Sequence, residues 1–397
     1  MKKGWVETTL GGIGNVAMCK RIFKEETTAT GDIPFYKIGT FGRKPDAYIS
    51  SHTYSEYRAK YPFPKRGDVL ISASGTIGRR VRYDGEPAYF QDSNIVWIDN
   101  DEKKVLNDYL YHFYGACEWN STKGATISRL YNEDLRRIVI AFPESHQEQQ
   151  RIVGALDDAF DGLARATANA EQNLRNARAL FESHLQSVFT QRGKGWGEKQ
   201  LEEVLAVQPQ NGWSPPAANH ADSGTPVLTL SSVTGFVFRP GKIKFTSAVT
   251  DSRARYWVQN GDLLITRSNT PELVGHVAIA SGIQGPTIYP DLIMRMNPDP
   301  EQALTEFLYY QMRTPALRRE ISDRAQGANP TMKKISNGAV RTLPICVPPI
   351  PEQHRVIAQL DALASETQRL ESIYRQKLAA LNELKKSLLH QAFSGSL

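Results

Sequence analysis

The sequence predicts an α+β chain: two mixed α/β domains alternate with two long helices, which pair within the chain as an intramolecular coiled coil. Three observations carry this prediction. First, Gln147 to about Gln191 and Pro351 to Leu397 carry apolar residues at alternating steps of four and three. The first seam runs Ile152, Leu156, Phe160, Leu163, Thr167, Ala170, Leu174, Ala177, Phe181. The second runs Val356, Leu360, Leu363, Thr367, Leu370, Tyr374, Lys377 or Leu378, Leu381, Lys385, Leu388. Steps averaging roughly 3.5 residues put one apolar stripe on a helix, and such a stripe buries best against a second helix of the same kind. Second, both stretches open on a near-identical phrase, EQQRIVGALD and EQHRVIAQLD, and a shift of 204 residues lays almost every seam position of one on the other, the terminal Phe189 and Phe393 included. Third, the repeat continues ahead of each helix, so the partner helix lies in the same chain.

The landmarks ahead of the helices recur in one order. KGWVETTL (Lys3–Leu10) matches KGWGEKQL (Lys194–Leu201). RGDVLISASGTIG (Arg66–Gly78) matches NGDLLITRSNTPELVG (Asn260–Gly275), KGATISRL (Lys123–Leu130) faces QGANPTMKKI (Gln326–Ile335), and IVIAFPESHQEQQ faces LPICVPPIPEQH. Ordered self-similarity at about 200 residues marks a duplication with a pseudo-two-fold relation. It sets four segments: residues 1–146, a helix over 147–191, residues 192–350, and a helix over 351–397.

Asp68–Ser72 and Asp262–Thr266 are β-branched runs after a Gly-Asp turn and read as strands, as do Ile95–Ile98 and Ile288–Met296, the last interrupted by Pro290. Leu, Tyr and Phe at helical spacing in Tyr109–Cys117 and Glu306–Arg313 predict one short helix per domain. Segments 17–65 and 207–258, rich in Gly, Pro, Thr and aromatics, predict irregular loops and short strands. Pro143 and the Pro348–Pro351 cluster make sharp entries to the long helices.

The net charge of +6 is unevenly placed: residues 1–146 carry +3 and 192–350 carry +4, while the helical stretches together carry −1. The non-helical segments are therefore the better surface for a polyanion. Cys19, Cys117 and Cys346 are odd in number and far apart, which suits a reducing compartment. No run approaches the length of apolar sequence a membrane span needs. The expectation is a cytoplasmic protein without a membrane partner.

Catalytic signatures do not assemble. There is no phosphate loop with its Lys and hydroxyl, no dinucleotide glycine fingerprint, no H-E-x-x-H and no paired cysteines, and the eight histidines are scattered. Ser72–Gly75 resembles a nucleophile loop only superficially, because its counterpart is Thr266-Arg267-Ser268-Asn269, so the shared feature is a polar turn after a strand. No catalytic and no metal-binding residue is assigned.

Basic residues interleave with aromatic ones. The first domain has Lys20, Arg21, Lys24, Arg43, Lys44, Arg79, Arg80 and Arg82 near Phe23, Phe41 and Tyr83. The second has Arg239, Lys242, Lys244, Arg253, Arg255, Arg267, Arg318, Arg319, Arg324, Lys333 and Lys334. Lys and Arg neutralise phosphates, and Arg, Asn, Gln and Ser read base edges. The polar turns add Ser72, Ser74, Thr266, Ser268 and Asn269, and the stretches after each Gly-Ala add Thr126, Arg129 and Asn329 as candidate nucleic-acid contacts.

On these motifs the chain resembles the specificity subunit of type I restriction-modification systems, over its whole length. The resemblance rests on W-x-x-x-x-L at each domain start, GD[VL]LI with its polar turn, the Gly-Ala near each domain end, and P-x-x-E-Q-x-R-[IV] leading into a long helix that ends in Phe. It implies two target recognition domains, each reading half of a split sequence in double-stranded DNA, and two helices packed antiparallel to fix the spacing. It also implies a subunit without catalytic activity or cofactor of its own. The partners would be two methyltransferase subunits using S-adenosylmethionine and restriction subunits using ATP and Mg²⁺. The helix outer faces at Glu148, Arg151, Glu352 and Arg355 are the candidate docking platform. The second polar turn, RSNTPELVG, lacks the SGTIG of the first, so the resemblance leaves the geometry of this loop open, though not the domain itself. The alternative class is a coiled-coil adaptor whose two modules bind proteins or RNA.

Overall fold

The computed structural model describes residues 3–117, 119, 129–327 and 331–397. The chain divides into two compact units, Met1–Glu171 with Arg375–Leu397, and Gln172–Tyr374.

In the first unit β1 (Trp5–Thr9) and β2 (Gly14–Ala17) lead to β3 (Ile33–Tyr36), β4 (Tyr48–Ile49) and α1 (Ser51–Lys60). β5 (Val69–Ser72), β6 (Arg80–Arg82), β7 (Tyr89–Phe90) and β8 (Ile95–Asn100) follow. The helices α2 (Asn107–Ala116) and α3 (Asn132–Arg137) and then β9 (Val139–Pro143) run into α4 (His146–Gln191). Strands order as β2-β8-β5-β6 in an antiparallel sheet, with β4-β3-β7 and β1-β9 beside it. Every residue of β5 is buried because both sheet faces are covered. Val69 and Ile71 face a core built with α2 and α3, while Leu70 faces an aromatic core of Phe35, Phe41, Tyr83, Tyr89, Phe90 and Trp97. Period-2 alternation between two dry faces is why the Gly-Asp run reads as continuously apolar.

The second unit repeats the plan. β10 (Gly197–Gln200) and β11 (Leu205–Asn211) are followed by β12 (His220–Ala221), β13 (Thr225–Leu228), β14 (Ile243–Thr246) and β15 (Trp257–Val258). Next come β16 (Leu263–Thr266), β17 (Ser268–Asn269), β18 (Val277–Ile279), β19 (Thr287–Ile288) and β20 (Ile293–Pro298). α5 (Thr305–Met312), α6 (Pro315–Arg324), β21 (Lys333–Lys334), α7 (Asn337–Arg341) and β22 (Pro344–Val347) complete the domain before α8 (Ile350–Ser394). Its main sheet, β11-β20-β16-β18, matches β2-β8-β5-β6 strand for strand. Leu263 and Ile265 again face one core and Leu264 the other.

Each unit holds the start of one long helix beside the end of the other, and there the two run antiparallel. In the first unit Arg151 donates to the Leu397 carbonyl (3.0 Å), Lys385 lies over the Phe160 ring (5.3 Å), and Phe393 packs edge-on against Tyr109 (5.2 Å). In the second, Arg178 pairs with Glu371 (3.1 Å) and Phe189 packs on Phe307 (5.3 Å). The seam residues Ile152, Leu156, Ala170, Ala177, Phe181, Val356, Leu360 and Thr367 are buried, but Lys377 and Lys385 are exposed. No helix among the described residues is long and apolar enough to cross a membrane.

The expectation of one short helix per domain fails. α1, α3, α6 and α7 are additional helices. α1 buries only Tyr54, so it shows no apolar period. Its local signal is the Ser50 cap, whose hydroxyl accepts from the Thr53 N–H (3.1 Å).

Candidate nucleic-acid interface

The two polar turns are the same device built twice. Ser72 ends β5, is 1 % exposed, and donates its hydroxyl to the Thr76 carbonyl (2.5 Å) while accepting from the Arg79 N–H (2.9 Å). Thr266 ends β16, is fully buried, donates to the Leu273 carbonyl (2.9 Å) and accepts from the His276 N–H (2.9 Å). The backbone bonds match too: Gly78 N–H to the Ser72 carbonyl, and Gly275 N–H to the Thr266 carbonyl. Each loop closes on a glycine in the left-handed region, at φ +81° and +72°, where a Cβ would fall 2.0 Å from the Trp119 ring or 2.3 Å from Ile321. TIG and LVG are thus one closure, and the extra residues of the second turn are accommodated inside it.

The segment after each Gly-Ala returns to its polar turn. Ser74 bridges Arg129, and the Leu130 N–H donates to the Ala73 carbonyl (2.8 Å). In the second unit β17 pairs with β21, Ser268 opposite Lys334 and Asn269 opposite Lys333, and the Ile335 N–H donates to the Arg267 carbonyl (3.0 Å). Landmarks some 55 to 65 residues apart in sequence therefore form one paired edge in each unit.

The structure sorts the candidate side chains. The Ser72 and Thr266 hydroxyls are enclosed in the turns they close. Ser74 bonds Asn94 (2.7 Å), and Ser268 is also buried. Arg79 donates to the Phe41 carbonyl (3.0 Å), and Arg239 donates to the Thr234 carbonyl (2.7 Å). Arg80 and Arg82 stack on the Tyr111 ring of α2, at 4.5 and 3.8 Å, and Arg82 lies 2.7 Å from the Asp108 carboxylate. The Arg80 guanidinium occupies the space a side chain at Gly115 would need, and burial holds its pKa below the usual arginine range. Arg21 pairs with Asp92 (2.9 Å) and Arg267 with Asp291 (3.8 Å). Asn269 contacts Thr234 (3.4 Å), and Lys333 donates to the Gly327 carbonyl (3.0 Å). Lys20, Lys24, Arg43, Lys44, Arg129, Lys242, Lys244, Arg253, Arg255 and Lys334 are exposed. Thr126 and Asn329 lie outside the described residues.

At the helix starts Glu148 pairs with Arg151 (2.8 Å) and Glu352 with Arg355 (2.5 Å) on the outer face. Between them lies a pair that motif reasoning passed over. Gln149 and Gln353 are both fully buried. Gln149 accepts from the Leu106 N–H (2.9 Å) and donates to the Lys104 and Pro143 carbonyls (both 2.8 Å). Gln353 accepts from the Leu304 N–H (2.8 Å) and donates to the Gln302 (2.9 Å) and Pro348 (2.8 Å) carbonyls. The amide staples the long helix to the loop before α2 or α5, which explains why the E-Q-x-R phrase repeats. About two turns further on, Asp157 meets His112 (2.8 Å) in the first unit, and Asp361 accepts from the Tyr310 hydroxyl (2.5 Å) in the second.

The arrangement offers two rigid, basic-rimmed loop edges and, among the described residues, no cluster of groups able to hold a metal ion. A family model described as the type I restriction modification DNA specificity domain matches the chain twice, over residues 2–174 and 193–380. A putative type I restriction enzyme specificity subunit of Haemophilus influenzae, S.HindORF215P, is 63% identical over 179 residues, which cover 43% of this chain and 46% of that protein. The match thus spans just under half of that relative's length. The type I restriction enzyme EcoKI specificity subunit of Escherichia coli K12 is 25% identical over 313 residues, 75% of this chain and 67% of that one. In fold, the chain resembles a subunit from a structure of type I restriction-modification complex assembly and conformational transition (TM-score 0.77, 18% identity, 100% and 99% coverage). It also resembles the HsdS subunit of Thermoanaerobacter tengcongensis (TM-score 0.59, 18% identity, 100% and 98% coverage).

Proposed function

Given that the chain belongs to the type I restriction-modification DNA specificity family, and so recognises DNA sequence, we propose that it reads a two-part target, one part with each unit. The duplicated loop edge carries this reading. The same frame presents SGTIG with Arg129 in one unit and RSNTPELVG with Lys333 and Lys334 in the other. Equal frames with unequal surfaces suit two different half-sites on one duplex. Rigid closure by Ser72 and Thr266 lowers the ordering cost of binding. The exposed lysines and arginines around each edge supply phosphate contacts that fix register, and the loop tips are left to meet base edges.

The chain acts in this proposal as the specificity component, without catalysis or cofactor of its own. Two methyltransferase subunits dock at the repeated helix starts, near Glu148–Arg151 and Glu352–Arg355, and restriction subunits join the full assembly. S-adenosylmethionine, ATP and Mg²⁺ belong to those partners. The assembly, as distinct from the docking site, is in keeping with the fold this chain shares with a chain from a structure of the type I restriction-modification system.

The test is a domain exchange. Replacing residues 1–146 by the corresponding domain of another specificity subunit is expected to change one half of the methylated motif read from host DNA and leave the other half intact. A change in both halves, or in neither, defeats the one-unit-one-half reading.

A further inference from the structure

Phe23 is the exposed aromatic that the loop edges do not explain. It is 57 % exposed, in a stretch where Cys19 and Ile22 are buried and Lys20, Arg21 and Lys24 face solvent. A lone exposed apolar residue is ordinary on a protein surface. This one stands on a well-tied stretch of backbone between cations. The Tyr89 hydroxyl donates to the Lys20 carbonyl (3.0 Å), and Arg21 is fixed by Asp92. The Phe23 N–H donates to the Glu26 carboxylate (2.7 Å), whose other oxygen accepts from the Tyr57 hydroxyl (3.1 Å). The Thr27 hydroxyl donates to the Lys24 carbonyl (2.8 Å). Three of these bonds hold main-chain groups, of Lys20, Phe23 and Lys24, while the ring is left unburied, although burying a Phe is worth about 1.5–3 kcal/mol. Lys20 lies over the Tyr61 ring (5.1 Å), and neither it nor Lys24 has an ion-pair partner among the described residues.

An exposed apolar ring on an ordered backbone, flanked by cations without ion-pair partners, is an arrangement by which proteins insert a side chain between base steps while holding the phosphates on either side. We propose that Phe23 is a wedge that enters the base stack of the half-site read by the first unit, with Lys20 and Lys24 on the flanking phosphates. The inference rests on the reading of that unit as a DNA-recognition domain. The second unit has no counterpart in the corresponding stretch after β11. There Trp213 is half-buried and stacks on Tyr256 (5.2 Å). Unstacking is therefore confined to one half of the target.

The experiment uses the full chain without other subunits, so that no methyltransferase extrudes a base. Duplexes are selected from a random-sequence library, and 2-aminopurine is placed at each step of the selected sequence. Wild type is expected to raise the fluorescence at one step, in one half only. Phe23→Ala removes the rise and weakens binding roughly 5- to 150-fold, the effect of losing one stacked aromatic; Phe23→Leu keeps the rise. The slope of log affinity against log salt is unchanged in Phe23→Ala, whereas Lys24→Ala lowers it by about 0.9. Unaltered fluorescence and affinity in Phe23→Ala overturn the wedge. So does a binding loss on thymine-to-uracil replacement without any fluorescence rise, which marks a methyl contact in the major groove. If wild type selects no sequence, it is the recognition reading that fails, and the wedge with it.

Discussion

At the scale of residues, the repeated phrase E-Q-x-R divides its labour. The charged members lie outside and pair with each other, while the buried glutamine makes three bonds to main-chain groups. Replacing Gln149 or Gln353 by Ala orphans one N–H and two carbonyls, so each variant is expected to lose about 3 kcal/mol. Chemical denaturation measures this, and a loss under about 1 kcal/mol refutes the staple. His276 gives a pH prediction. Its Nδ1 accepts from the Gly235 N–H (2.9 Å), its ring stacks on Phe236 (4.1 Å), and Phe236 holds a left-handed φ of 62°. Burial, with the Arg318 charge in second place, lowers the His276 pKa to about 4. A histidine with a depressed folded pKa takes up protons more readily when unfolded. Its stabilising contribution is therefore complete above about pH 6.5 and is lost as the pH falls toward about 4. The melting temperature of wild type is expected to fall between pH 7 and 5 by more than that of His276→Asn; equal falls in both remove His276 from the account.

At the scale of elements, the long helices read clearly in sequence and the short ones did not. A continuous 3.5-residue seam over some 45 residues has no competing interpretation. α1 and α6 pack by a few contacts and by caps, Ser50 and Thr314, which a periodicity search does not weigh. The seam is lean, with exposed Lys377 and Lys385, and the two-part target proposed above makes the helix pair a spacer set by length. Inserting four residues, about one helical turn or 6 Å, within Ala164–Asn176 is expected to lengthen the gap between the two halves of the methylated motif. An unchanged gap on sequencing the modified bases would count against the helices as the ruler. The polar turns are legible in sequence as a matched pair, but the bonds their hydroxyls make are not. Ser72 and Thr266 look like ready donors in a string of letters, and only the closure onto Thr76 and Leu273 shows that they are enclosed.

At the scale of the whole molecule, duplication is what the sequence determined by itself. Matching landmarks in one order require two like frames, and a frame is set by local patterns: apolar period, Gly-Asp turns, prolines before helices. The strand order β2-β8-β5-β6, echoed by β11-β20-β16-β18, follows from that repeat. Which cations remain free was decided only by tertiary structure. Arg80 and Arg82 look like surface charge in sequence but lie against Tyr111 from another element, and Arg239 satisfies carbonyls of its own loop, while Lys24 and Lys334 stay in solvent. The physical reason is that a cation's partner is chosen by distance in space, across sequence separations that no period encodes. The joining of the SGTIG turn to Arg129, and of Ser268–Asn269 to Lys333–Lys334, has the same origin: pairing register between remote strands is set by the core that both must cover.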